Sequence, residues 1–384
     1  MLARLFTVLV PILAASQLLG CATPRTLRGT AKEGDDCKWV FGRYEPSEWE
    51  REWYQGEMSG ERQDNECELL ASPKEVDRSV RLIRAVQGAV LRNEAIPPDD
   101  IGLFSRMVYE QRCAGDSPGA TRTRVQMIEP LVGILRDPLT MCPRAPGVPD
   151  DVFNTFEKGE DKVQSKRHFL IGPAAPWSDT PNDPASWHTG GFGPWVRAGS
   201  TQAQSPRAHM HFLMDLGASV YNGWHGDTGA VGAWWIVNRS KRQKVDYDWV
   251  VSFEYEKIDP DVIFAGVPDD LLPRYIYFNH GVEKTAGGRW NPWRILQGMG
   301  ATADDYVVVK LDIDNPEIEN ELVDQFMKSP ILLGLIDEMF YEHHVNTKVM
   351  RGWWGTQNSR IYMKDTYRNF TALRVQGVRM HAWP

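Results

Sequence analysis

The chain has 384 residues, of which 42% are hydrophobic and 24% are charged, and its formal net charge is −8. This length and composition predict a globular protein with one large and one smaller folded part, and they exclude a wholly disordered chain. The acidic balance excludes a basic field of the kind that holds a nucleic-acid backbone, so no nucleic-acid partner is expected.

Residues 1–22 have the pattern of a targeting segment. Arg4 precedes an apolar run from Leu5 to Leu19, and Gly20-Cys21-Ala22 supplies small residues suited to cleavage. The run has the length of a signal-peptide core and is shorter than the roughly 20 apolar residues of a membrane span. Leu18-Leu19-Gly20-Cys21 also resembles a bacterial lipoprotein cleavage box, and an uncleaved anchor is a third alternative. Each of these three alternatives predicts that the rest of the protein lies in the secretory lumen or outside the cell. The protein would contact a membrane only through residues 1–22.

Residues 23–150 are predicted to form a mostly helical cap stapled by disulfides. Apolar residues from Val76 to Leu91 recur at helical spacing, and Ile101–Tyr109 and Val125–Leu135 indicate two further helices. The region holds an even number of cysteines, which is typical of disulfides in an oxidising compartment. Their spacing does not favour a zinc site. The four cysteines can form two disulfides in three possible pairings: Cys37, Cys67, Cys113 and Cys142.

Residues 151–206 form a connecting region rich in Pro, Gly and Trp, with one predicted strand at His168–Ile171. A loop of this length inside a compact domain is typical of a functional segment or a linker. Its tryptophans either anchor the loop or fold over a ligand: Trp177, Trp187 and Trp195.

Residues 207–384 alternate between strand and helix patterns, which predicts an α/β domain with a doubly wound, mostly parallel sheet. Three apolar strands each deliver a carboxylate at the carboxyl end, namely Asp215, Glu254 and Asp312. Asp215-x-Gly217 lets the backbone turn sharply, so that a ligand approaches the main chain. The other predicted elements are a helix over Thr228–Val237, a strand over Tyr275–Phe278, a helix over Ile318–Met327, and strands over Glu338–His344 and Val375–His381.

Five short blocks follow one another between Met210 and Val345: Asp215-Leu216-Gly217-Ala218-Ser219, Phe253-Glu254, Asn279-His280-Gly281-Val282, the stretch from Val309 to Glu317, and Tyr341-Glu342-His343-His344. In type and order they resemble the signature segments of FkbM-type class I S-adenosylmethionine-dependent methyltransferases. Each block alone is a weak signal, and their number and order carry the resemblance.

The resemblance implies a Rossmann-like methyltransferase fold, S-adenosylmethionine as cofactor, no metal ion, and O-methylation of a small-molecule or glycan-like acceptor. Glu254 would accept hydrogen bonds from the ribose diol, and Asp215 would orient amides or a water near the amino-acid moiety. The implied cofactor-binding residues are Asp215, Gly217, Ser219, Glu254, Asn279 and Asp312. Transfer to a hydroxyl needs a base, and the candidates by type are Asp312, His280, His343 and His344.

Several positions depart from this family pattern. Tyr221 stands where the family has a glycine and would block the methionine end of the cofactor if it faced the cavity. Asp215 and Glu254 are 39 positions apart, against roughly 20 for one turn and one helix.

Two other functions stay open. One is a metal-dependent glycosyltransferase in which Asp312-x-Asp314 binds a divalent cation and a diphosphate. The other is a non-catalytic carbohydrate-binding module on the same scaffold.

Overall fold

A computed structural model of the chain describes residues 26–27, 37–61, 66–92, 95–113, 123–135, 142, 146–148, 210–222, 233–242, 245–350 and 360–383. The expected targeting segment over residues 1–22 and the connecting region over 151–206, with its predicted strand, lie outside these residues. No helix within the described part of the chain combines the length and the apolar character that a membrane crossing requires.

The N-terminal part contains an antiparallel sheet of four strands in the order β1-β2-β3-β4. The strands are β1 (Thr26–Leu27), β2 (Cys37–Glu45), β3 (Ser105–Cys113) and β4 (Thr123–Ile128). Between β2 and β3 the chain forms helices α1 (Glu48–Ser59) and α2 (Pro73–Arg92) and 3-10 helices over Glu66–Leu70 and Pro98–Leu103. The helix predicted from the apolar spacing between Val76 and Leu91 is confirmed as α2.

The two further helices predicted in this part were wrong. Ile101–Tyr109 is a 3-10 turn followed by most of β3, and Val125–Leu135 begins with most of β4. Short apolar runs do not distinguish helix from strand by periodicity, and here β3 pairs with β2 on one side and β4 on the other. The predicted helical cap is therefore a mixed α and β structure.

One disulfide is present among the described residues. Cys67 and Cys142 are joined with an S–S distance of 2.04 Å, which selects one of the pairings left open by the sequence. The backbone positions of Cys37 and Cys113 lie opposite each other at the ends of β2 and β3. The bond ties the 3-10 helix after α1 to the segment that follows β4.

The C-terminal part is built on a parallel sheet of six strands, in the order β10-β9-β8-β5-β6-β7. The parallel α/β sheet expected from the strand and helix alternation is confirmed. The chain starts at the centre, moves outward through β6 and β7, and returns to the other side of β5 as β8. The strands are β5 (His211–Leu216), β6 (Trp249–Phe253), β7 (Tyr275–Phe278), β8 (Tyr306–Leu311), β9 (Glu338–Tyr341) and β10 (Arg379–Ala382).

Helices connect these strands. They are α3 (Ala233–Arg242), α4 (Pro260–Phe264), α5 (Pro292–Gly298), α6 (Pro316–Lys328), α7 (Pro330–Leu335) and α8 (Met363–Val375), with 3-10 turns over Leu272–Arg274 and Lys348–Met350. The predicted bounds differ in four places: the described part of the helix after β5 extends to Arg242, α6 runs over Pro316–Lys328, β9 ends at Tyr341, and the last strand begins only at Arg379. Asn315 caps α6 by accepting a hydrogen bond from the Ile318 amide.

A buried arginine on α8 connects the two sheets. The Nη2 of Arg374 lies 2.8 Å from Oε1 of Glu129, which follows β4. Its Nη1 donates to the Tyr44 hydroxyl on β2, and its Nε donates to the Met380 carbonyl on β10. The guanidinium is fully buried, so its five N–H groups depend on these partners.

Replacing this arginine should destabilise the whole protein. Arg374→Met removes the guanidinium partner of two buried carboxylates, Glu129 and Glu50, so the free energy of unfolding should fall by about 3–5 kcal/mol in urea titrations. The control is Arg368→Met on the same helix, because Arg368 pairs with Asp365 at the surface. That change should lower the free energy of unfolding by less than about 1 kcal/mol. Equal losses in the two variants would contradict the bridging role.

Candidate functional site

A cleft of about 1500 Å³ opens at the carboxyl ends of β5, β6 and β8. It lies where the strand order reverses between β5 and β8, the position at which open parallel sheets bind ligands. Among the described residues, its wall carries seven carboxylates and one lysine: Glu254, Glu256, Asp259, Glu283, Asp312, Asp314, Glu342 and Lys257. This excess of acidic groups favours a ligand that carries positive charge.

A buried lysine organises the floor beneath the cleft. Lys310 on β8 is fully buried, with its Nζ 3.2 Å from Asp215 Oδ1 and 3.3 Å from Asp312 Oδ2. Burial opposes its charge, but the two carboxylates outweigh that effect and raise the pKa of Lys310 above its ordinary value. The register pairs Asp215 directly with Lys310, so Asp215 lies under the cleft and does not line it.

Gly217 closes the turn after β5. Its φ is +85°, and a Cβ at this position would lie 1.6 Å from the backbone oxygen of Asp312. Its carbonyl accepts a hydrogen bond of 2.6 Å from Lys310 Nζ. The space left by the missing side chain is thus filled by the chain itself at the end of β8. The glycine is therefore required for the close approach of these two backbones, and it also lines the cleft.

Glu254 follows β6 and lines the cleft. Its Oε2 accepts a hydrogen bond of 2.7 Å from the Ser219 amide, and its Oε1 accepts one of 2.9 Å from the Glu256 amide. Ser219 adopts a left-handed φ of +49°, and its carbonyl accepts a hydrogen bond from the Tyr277 hydroxyl. The two amide hydrogen bonds fix the Glu254 carboxylate in place. A carboxylate has about four acceptor positions, so two remain for hydrogen bonds from a ligand.

Two predicted site residues, Asn279 and His280, follow β7, and only His280 lines the cleft. The side chain of Asn279 bonds the Ile258 amide at 3.1 Å and the Glu254 carbonyl at 3.2 Å. Asn279 therefore braces the loop after β6 and does not line the cleft. His280 is exposed, lines the cleft and stacks on Trp290 with ring centroids 4.4 Å apart.

Asp312 lies on the floor of the cleft, just after β8. Trp383 Nε1 donates a hydrogen bond of 3.0 Å to its Oδ2. Burial raises the pKa of the Asp312 carboxyl; Lys310 opposes the rise, and neighbouring Glu342 adds to it. The result is a carboxyl that is held in position and binds a proton more readily than an ordinary aspartate.

The two adjacent histidines after β9 have opposite environments. His343 is buried, with Nδ1 2.8 Å from Thr366 Oγ1 and Nε2 3.1 Å from Asn320 Oδ1. Burial lowers its pKa to about 3, which makes it a neutral structural residue outside the cleft. Burial also opposes protonation of His344, but hydrogen bonds to Asp314 and Glu319 raise its pKa to about 10.

The pH dependence of stability should report the His344 environment. The pKa is about 10 in the folded state against an ordinary 6.5, so the stabilisation is complete below pH 6.5 and is lost as the pH rises through 10. We expect the free energy of unfolding to fall by at least about 1 kcal/mol across this window. Urea titrations with EDTA present, which keeps trace metal from the imidazole, would measure it. Asp314→Asn should reduce this fall, and an equal fall in both proteins would contradict the assignment.

Tyr221 does not plug the cleft. Its ring is buried and packs edge-on against Tyr275 of β7, with centroids 5.7 Å apart. It is absent from the cleft wall, whereas its neighbour Val220 is part of it. The glycine-rich segment over residues 223–232, where the sequence departs most from the family pattern, lies outside the described residues.

The structure brings five of the nine predicted site residues to the cleft, namely Gly217, Ser219, Glu254, His280 and Asp312. The other four lie outside its wall: Asp215, Asn279, His343 and His344. The sequence interpretation gave no role to Lys310, Glu342 or Trp383. Only Lys310 had a visible signal, as the one charge in an apolar strand. Comparisons of the chain with protein-family models, with curated proteins and with solved structures gave no match.

Proposed function

We propose that the chain is an S-adenosylmethionine-dependent methyltransferase with a Rossmann-like methyltransferase fold. Its acceptor would be a hydroxyl or carboxyl group of a small molecule or a glycan-like molecule. The observation that carries the proposal is the position of Glu254, which lines the cleft after the strand next to β5. An acidic residue at the end of this second strand is the group that holds a ribose diol in nucleotide-binding sheets.

Glu254 is suited to this role by its own hydrogen bonds. The two backbone amides that donate to its carboxylate oxygens fix the direction of the group. A charged acceptor binds a diol more tightly than a neutral one. Ser219, whose amide is one of the two donors, belongs to the turn after β5, so the ribose subsite is joined to the central strand.

The charge of the cleft supports a cationic cofactor over an anionic one. S-adenosylmethionine, when bound, supplies a methyl group on a positively charged sulfur. A nucleoside diphosphate would instead meet seven carboxylates and a single lysine, Lys257. The carboxylate of Asp312 is bound by Trp383 and Lys310, while that of Asp314 is bound by His344. A glycosyltransferase would use the carboxylates of Asp312 and Asp314 together on one cation, whereas here each carboxylate contacts a different partner.

Asp312 is the best-placed proton acceptor. The methyl group would pass from sulfur to the acceptor oxygen, and the hydroxyl proton would pass to the Asp312 carboxylate. Its raised pKa favours that step, and Trp383 fixes the group at 3.0 Å. His280 at the rim is the second cleft residue that could contact an acceptor. His343 has no part in this proposal, since both of its ring nitrogens are engaged inside the protein.

The site of action would be the secretory lumen or the extracytoplasmic space. The pattern of residues 1–22 supports this location, and so does the Cys67–Cys142 disulfide. Disulfides persist in oxidising compartments and are rare in the cytosol.

Ligand-induced stabilisation tests the cofactor site. S-adenosylmethionine and S-adenosylhomocysteine should each raise the melting temperature by a few degrees at about 100 times Kd, because they bind only the folded chain. Glu254→Ala should weaken binding about 10- to 100-fold by removing charge-assisted hydrogen bonds. Glu256→Ala is the matched control, since it removes the same charge from the same loop. Each melting temperature is compared with that of the same variant without ligand. A shift that survives in Glu254→Ala would exclude the proposed ribose contact.

Turnover tests the proposed base. Asp312→Asn keeps the size of the side chain and removes the proton acceptor, so it should lower methyl transfer about 100-fold or more. Its affinity for S-adenosylmethionine should stay within about threefold of the parent protein, since the proposed ribose contact is made by Glu254. Release of S-adenosylhomocysteine over a panel of hydroxylated small molecules and oligosaccharides measures the first quantity, and calorimetry measures the second. Undiminished turnover would rule out Asp312 as the base.

A further inference from the structure

A second group of side chains meets at the edge of the cleft, where β8 and β9 end. Asp314 follows β8, and Glu342 and His344 follow β9. Each offers one oxygen or nitrogen atom, and the three atoms lie within 4.8 Å of one another. His344 Nε2 is 3.3 Å from Asp314 Oδ1 and 3.9 Å from Glu342 Oε2. Ligand atoms bonded to one ion at about 2.1 Å lie roughly 3.0–4.2 Å apart, so small side-chain shifts suffice.

The imidazole of His344 is oriented as metal-binding imidazoles are. Its other nitrogen, Nδ1, lies 3.2 Å from Oε2 of Glu319, a fully buried carboxylate. Oε1 of Glu319 accepts a hydrogen bond of 3.0 Å from the Ile313 amide, which fixes the carboxylate itself. A carboxylate on the far nitrogen sets the ring direction of most histidine ligands. It directs Nε2 toward Asp314 and Glu342.

The surroundings add an independent electrostatic argument. Asp314 and Glu342 both belong to the acidic wall of the 1500 Å³ cleft. The buried ammonium of Lys310 contacts Asp215 and Asp312, which are not members of this group. The wall therefore keeps an excess of negative charge close to the open face of the triad, where a small cation can enter from solvent.

We propose that Asp314, Glu342 and His344 form a binding site for a first-row divalent cation such as Mn²⁺, which would displace the proton on His344 Nε2 to solvent. The motif resemblance predicted no metal. Two carboxylates with one imidazole suit Mn²⁺, Fe²⁺ or Zn²⁺, whereas Ca²⁺ and Mg²⁺ prefer oxygen ligands alone. Because two of the ligands line the cleft, the ion keeps coordination positions for water or for an oxygen of a bound molecule. The site does not depend on the methyltransferase proposal.

Metal titration tests the site directly. Protein freed of metal with EDTA and then dialysed is titrated with Mn²⁺, and the loss of the free-ion EPR signal gives Kd and stoichiometry. One ion should bind per chain, with Kd in the micromolar range. Asp314→Asn should weaken binding at least tenfold without loss of folding, since Asp314 is exposed and asparagine tolerates its left-handed φ of +54°. Glu342→Gln should weaken binding at least as much.

The matched control is Asp259→Asn. Asp259 lines the same cleft and caps α4 through the Asp261 amide, and asparagine keeps that cap. Its affinity for Mn²⁺ should stay within about twofold of the parent protein. The proposal fails if the parent protein binds no Mn²⁺ at 1 mM, or if Asp259→Asn weakens binding as much as Asp314→Asn does. No cofactor is present in the titration, so failure of the metal site leaves the S-adenosylmethionine test untouched, and the reverse also holds.

Discussion

A single buried ammonium group determines how the carboxyl ends of the central strands meet. Lys310 contacts Asp215 from the neighbouring strand and Asp312 from its own strand, and it donates to the Gly217 carbonyl. A buried charge without partners costs several kcal/mol, and the same holds for the two carboxylates. The three side chains are therefore stable only together. These contacts hold Asp312 on the floor of the cleft, and they hold the turn after β5 against Asp312.

The turn and the cleft depend on the same close approach of two backbones. The Asp312 amide donates a hydrogen bond of 3.0 Å to the Leu216 carbonyl, and the Gly217 and Ala218 amides both donate to the Phe253 carbonyl. Strands β5, β6 and β8 are thus joined beyond their last ladder pairs. Because the chain leaves β5 in one direction and returns on the other side, the connecting loops diverge above this junction. The cleft is the space between them, so the fold and the site share their central residues.

The sequence predicted these central strands because they are buried on both faces, and such strands read as unbroken apolar runs with a polar end. It predicted that Glu254 and Asp312 lie at one edge for the same reason. It failed at β3 and β4, because short apolar runs do not distinguish helix from strand, and β3 also pairs with β2, which is distant in the chain. The sequence also did not predict which way each side chain points from its strand. Asp215 points to Lys310 because the register pairs them, and register depends on contacts that no local pattern contains.

Negative charge at the cleft wall links the two proposals physically. The seven carboxylates described on the wall repel one another and outnumber its one described lysine, so the wall is stabilised by any cation that enters. A cationic sulfonium gains from this field, whereas the neutral thioether left after methyl transfer does not. The field would thus favour the proposed cofactor over its demethylated product. A divalent ion at Asp314, Glu342 and His344 would neutralise one end of the wall. The remaining charge would then be concentrated around Glu254 and Asp312, the two residues proposed to bind ribose and to accept the proton.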